Sequence, residues 1–99
     1  MEDRYKGQAI GIFEMDNLVA CYVALDAASK AADVMIQGVE RNRLKCGACV
    51  KMRGDISNIN AAMEVALKAA APLGKLVHST VIAAPTEGTD LAMEMTIKK

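Results

Sequence analysis

Cys46 and Cys49 form a Cys-x-x-Cys pair inside the stretch Arg43-Leu44-Lys45-Cys46-Gly47-Ala48-Cys49-Val50-Lys51, with cations close on both sides. That spacing suits a thiol redox pair, half of a metal site, or two small apolar side chains. A redox pair needs a thiolate of lowered pKa, usually supplied by a helix N-terminus. Here the pair leads into an extended segment, and the next helix signal begins only near Asp55. A structural zinc site takes four ligands. Cys46 and Cys49 would supply two, while His78, the one histidine, lies in a separate apolar stretch with no second donor beside it. Cys21 falls on an apolar helical stripe, where free cysteine acts as a small hydrophobe. Three cysteines is an odd count and argues against a disulfide framework. No Ser/His/Asp set or paired carboxylates stands out, so the chain is not expected to be an enzyme.

The elements that position these residues have to come from a chain of 99 residues, the size of one domain. We expect a single domain over 1–99, with its core at about 8–86 and a C-terminal tail at 87–99. Apolar residues make up 53% of the chain but aromatics only 3%, so small side chains must build the core by close approach. Twelve acidic and twelve basic residues cancel, which disfavours nucleic acid as a partner. No run approaches the roughly 18 apolar residues of a membrane span. The polar start MEDRYKGQ lacks the apolar segment of a signal peptide, and a cytosolic location with reduced thiols is expected.

Gln8–Glu14 reads as a buried strand, and Asp16 or Asn17 offers cap chemistry for a helix. Leu18, Cys21, Tyr22, Leu25, Ala28 and Ala32 recur at helical spacing and predict its apolar stripe. Val34–Val39 and Cys49–Arg53 form a predicted hairpin whose turn lies between Arg41 and Ala48. Asp55 or Ser57 can cap a second helix with the stripe Ile59, Ala62, Met63, Ala66, Leu67 and Ala70, ended by Pro72 and Gly74. Lys75–Ala83 is a further strand. The order β-α-β-β-α-β predicts an α+β fold: an antiparallel sheet of ferredoxin-like type with two helices on one face. The methionines at 15, 35, 52, 63, 93 and 95 read as core or interface filler.

Four segments carry more than topology: Gly11-Ile12-Phe13-Glu14, Asp26-Ala27-Ala28-Ser29-Lys30-Ala31-Ala32, Arg53-Gly54-Asp55-Ile56 and Val81-Ile82-Ala83-Ala84-Pro85. In this order, over about residues 8–86, the chain resembles the hexamer-forming shell proteins of bacterial microcompartments, which are built on the BMC domain. The resemblance implies a cyclic homohexamer that tiles edge to edge with other shell hexamers and shell proteins. It implies a hexamer-edge role for Lys30 and a central pore for small metabolites, lined by Leu44, Lys45, Cys46 and Gly47. The implied location is a microcompartment shell in the cytoplasm. The chain departs from the family at Ala84, where an arginine is frequent before the proline. It departs again at Leu44-Lys45-Cys46, where the pore loop is usually close to Gly-Ser-Gly.

Some shell proteins of this superfamily, including divergent members from glycyl-radical microcompartments, hold an iron–sulfur cluster at the pore. A pore-loop cysteine makes this chain similar to them. A ring of six Cys46 residues would offer more than the four thiolates that a 4Fe–4S cluster takes, so a bound cluster would break the ring's symmetry. Arg43 and Lys45 would favour the ionised thiol. Residues three apart in an extended strand point to opposite faces. Cys46 is therefore the expected metal ligand for electron transfer, with Cys49 packed into its strand as the lesser candidate. The basic run Arg41, Arg43, Lys45, Lys51 and Arg53 reads either as a solvated face or as a positive ring favouring anionic metabolites. Two other readings stand beside the shell tile. One is a ferredoxin-like small-molecule-binding or regulatory domain, and the other is a small thiol redox protein using Cys46 and Cys49.

Overall fold

The computed structural model describes residues 8–41 and 47–97. Its elements are β1 (Ala9–Met15), α1 (Leu18–Ala31), β2 (Met35–Arg41), β3 (Ala48–Gly54), α2 (Ile56–Ala70), β4 (Leu76–Ile82) and α3 (Glu87–Ile97). The strands form one sheet in the order β2-β3-β1-β4, and every neighbouring pair is antiparallel. This is the α+β arrangement the periodicities predict, with β2 ending at Arg41 and β3 starting at Ala48 around the expected turn.

Helix α1 begins at Asn17, whose side-chain oxygen accepts from the Ala20 amide at 2.8 Å. The same carboxamide donates to the Leu73 carbonyl at 3.0 Å, tying the start of α1 to the turn after α2. Here the two chain segments approach so closely that a Cβ on Gly74 would lie 2.4 Å from the Asn17 side-chain nitrogen. Asn17→Ala removes the cap and the cross-link together. It should lower unfolding stability by about 1–2 kcal/mol, the upper part of the range for a lost cap, read as a lower urea midpoint at unchanged denaturant slope.

Helix α2 starts at Asp55, whose carboxylate accepts from the Asn58 amide at 2.9 Å. It buries Ile59, Ala62, Met63, Ala66 and Ala70, which is the predicted stripe with Leu67 at its margin. Helix α1 departs from prediction. It buries Ala20, Cys21, Ala24 and Ala28, while Tyr22 is 54% exposed. The two helices pack on each other, and alanines allow the closer approach, so the buried face shifts toward the small residues and leaves Leu18 and Leu25 at its edge.

Both helices cover the sheet face that carries Ala9, Phe13, Met15, Ala48, Val50 and Met52. Alternation sends Arg53 to the opposite face. There its guanidinium meets Asp90 of α3 at 2.8 Å, so the third helix packs on the other side of the sheet. The segment after Pro85, for which the sequence assigns no element, is thus a helix. Thr86 supplies its cap by accepting from the Thr89 amide at 3.2 Å.

Candidate functional site

The hairpin connection from β2 to β3 contains most of the residues expected to do chemistry. Leu44, Lys45 and Cys46 lie outside the described residues, as does Arg43. Gly47, the last expected pore residue, is buried at the entry to β3. A Cβ there would stand 2.0 Å from the Met15 carbonyl oxygen, a backbone atom that cannot swing aside. The glycine is therefore required where the hairpin presses against the end of β1.

Cys49 and Cys21 sit on opposite sides of the sheet. Cys21 is fully buried on the helix side, with its thiol donating to the Ala48 carbonyl at 3.3 Å. Cys49 is half-buried on the other face. The strand registers set Glu40, Cys49, Glu14 and His78 in one row across β2, β3, β1 and β4, so the four side chains share that face. Ile12, Glu14, Cys49, His78, Ser79 and Thr80 line a shallow cavity of about 260 Å³ there. Glu14 stands between Cys49 and His78 and keeps thiol and imidazole from meeting. Among the described residues no cluster of three or more His, Cys, Asp or Glu is placed to hold a metal ion.

Burial raises the pKa of both thiols, Cys21 and Cys49. At Cys49 the carboxylates of Glu40 and Glu14 push it further up, and Lys51 opposes them. Each proton is held more tightly in the folded chain than in the unfolded one. The resulting stabilisation is complete below the unfolded thiol pKa and is lost as pH rises past it. A plot of unfolding free energy against pH should therefore turn downward above about pH 8.5. Cys49 should alkylate slowly at neutral pH, faster as pH rises, as read by mass spectrometry of the labelled peptides.

Two of the three described cations of the basic run are committed. Lys51 is paired with Glu40. Arg53 is fully buried, ion-paired with Asp90 and donating to the Gln8 carbonyl at 2.9 Å. Arg41 is exposed at the end of β2. A positive ring drawn from this run thus loses Lys51 and Arg53. Lys30 is exposed near the end of α1 and paired with Asp26 at 2.8 Å, one helical turn back; that hydrogen bond raises its pKa.

The Arg53–Asp90 pair and the carboxylates flanking Cys49 escape a reading by motif. The alternation of Lys51 with Arg53 does not tell a solvated cation from a buried one. Asp90 becomes visible only if Thr86-Glu87 is read as a helix start with an acidic first turn.

Comparison with known proteins gives these features a family. Residues 9–85 match the BMC domain model. The chain is 39% identical over 79 residues to the bacterial microcompartment shell protein EutM of Escherichia coli, covering 79% of each protein. It is also 39% identical over 83 residues to the shell protein PduT of Citrobacter freundii, covering 83% of this chain and 45% of PduT. A crystal structure of a microcompartment protein from Desulfitobacterium hafniense superposes with a TM-score of 0.72 at 19% identity, over 80% of this chain and 42% of that one. The chain thus spans about half the length of PduT and of that structure, and four-fifths of EutM. It belongs to the BMC-domain family and is a structural component of the shell of a bacterial microcompartment.

Proposed function

We propose that the chain forms a cyclic homohexamer that tiles the shell, within the cytoplasm, beside other hexamers and shell proteins. In this reading the whole chain is one shell domain, and its role is structural rather than enzymatic. The β2–β3 connections of six copies meet at a central pore for small metabolites, lined by Leu44, Lys45, Cys46 and Gly47, and Lys30 lies at the hexamer edge. The observation that carries this reading is the family match across residues 9–85, which spans the sheet, the hairpin and both core helices. Sedimentation should give six times the 10.5 kDa chain, about 63 kDa, and electron microscopy should show flat sheets at higher concentration. Well-folded monomers or dimers would overturn it.

The pore is also proposed to hold an iron–sulfur cluster of 4Fe–4S type through Cys46. The thiol chemistry of the fold supports this choice. Cys21 is enclosed in the core, and Cys49 is half-buried beside two carboxylates, so both thiols are held toward the protonated form. Neither is suited to ligate an anionic cluster, and the described residues of one chain offer no other donor set. The residues fit such a cluster only through copies of Cys46 contributed by different chains. When bound, the group would supply one-electron transfer across the shell. The chain's own part would be to fix the hairpin base at Gly47 and, through Arg43 and Lys45 close to Cys46 in sequence, to supply cationic charge favouring the ionised thiol.

A further inference from the structure

We infer that α3 is a strap that lifts off the sheet as a unit while the sheet, α1 and α2 stay folded. Two kinds of observation carry this. The first is how little apolar surface holds the helix. Among its described side chains Asp90 and Met93 are the buried ones, while Leu91 and Met95 are 52% and 74% exposed. The second is the polar chemistry trapped on the face it covers. Arg53 is fully buried and ion-paired with Asp90, yet its Nε and Nη1 have no hydrogen-bond partner among the described residues. On β2, against which α3 packs, Gln37 sits at the bulge between Ile36 and Gly38 with both amide atoms buried and without a partner among the described residues.

A buried ion pair is favoured only when its remaining donors are also satisfied, and buried orphan donors penalise the closed state directly. Lifting the helix lets water reach Arg53 and Gln37; the buried apolar contact given up is mainly that of Met93, and the Arg53–Asp90 ion pair is exchanged for hydration of both charges. An eleven-residue helix is marginal on its own in water, so the detached segment unravels and opening is all-or-none for 87–97. The core does not depend on it, because the buried cluster of β1, β3, α1 and α2 contains no α3 residue. In the open state Arg53 presents a solvated guanidinium on the sheet face, and α3 acts as a cover over that group.

Hydrogen exchange of the full chain, resolved by mass spectrometry, tests this. Amides of 87–97 should exchange together, at least about a hundredfold faster than those of β1 and α2, with weak dependence on denaturant. Asp90→Ala leaves Arg53 buried without its partner and should speed exchange of α3 by about tenfold or more, with β1 and α2 unchanged. Replacing both partners, Arg53→Met with Asp90→Leu, should return α3 exchange to the wild-type rate or below it. The inference is overturned if α3 in the wild type exchanges at the rate of the core. It fails equally if Asp90→Ala leaves α3 unchanged or accelerates the core to the same degree, or if the double variant stays as open as the single one.

Discussion

Cys46→Ser is expected to abolish iron binding after anaerobic reconstitution, while Cys49→Ser retains it. Iron per chain and visible absorption are the readouts. Serine keeps the size of the side chain but is a far poorer ligand for cluster iron than thiolate. The contrast between the two positions follows from the sheet. Cys49 belongs to β3, faces Glu14 and Glu40 along its row, and has its pKa raised chiefly by burial. A negatively charged cluster there would add charge where two carboxylates already stand. Cys46 precedes the strand by two residues and has Lys45 beside it in sequence. Retention of full iron by Cys46→Ser together with its loss in Cys49→Ser would move the ligand to the strand and remove the pore from the argument.

Phe13→Ala should lower unfolding stability by roughly 3–5 kcal/mol, a large share of the roughly 5–15 kcal/mol available to a domain. Phe13 is the one phenylalanine in the chain and is fully buried. Much of the cluster around it consists of alanines from the two helices, Ala20, Ala24, Ala28, Ala62, Ala66 and Ala70. Side chains that short have little reach with which to close a cavity, so collapse of the site recovers little of the loss. Denaturant titration of the variant should therefore show a much lower midpoint, or no folded baseline at all. A loss below about 1.5 kcal/mol, the size of a tolerated volume-conserving swap, would mean that the helices close the gap and that the core is less rigid than its packing implies.

Strands, core helices and caps were legible in the sequence because their signals are local. Asn17 and Asp55 are capping side chains directly ahead of apolar periods, and both cap the helices they precede. The hairpin strands end and begin at Arg41 and Ala48, the bounds expected for the turn. Tyr22 misled because periodicity records polarity, whereas two helices meeting through alanines select for size. Helix α3 lacks a clean apolar stripe, since it buries an aspartate and a methionine three residues apart. Its anchor, Arg53, is 37 positions away in sequence and can be recognised as buried only once the sheet is assembled. The pairing of Lys51 with Glu40 is hidden for the same reason, because it depends on the register of β2 against β3. The Cys-x-x-Cys spacing was prominent and local, yet its second member turned out to belong to a row of carboxylates across the sheet.

Native mass spectrometry of protein purified and reconstituted without oxygen tests the central claim most directly, because it reads subunit number and bound cluster in one particle. The account predicts six chains of 10.5 kDa carrying the added mass of one iron–sulfur cluster, with the cluster mass lost in Cys46→Ser and the hexamer retained. A monomer or dimer, or a hexamer that stays free of iron under these conditions, would contradict it.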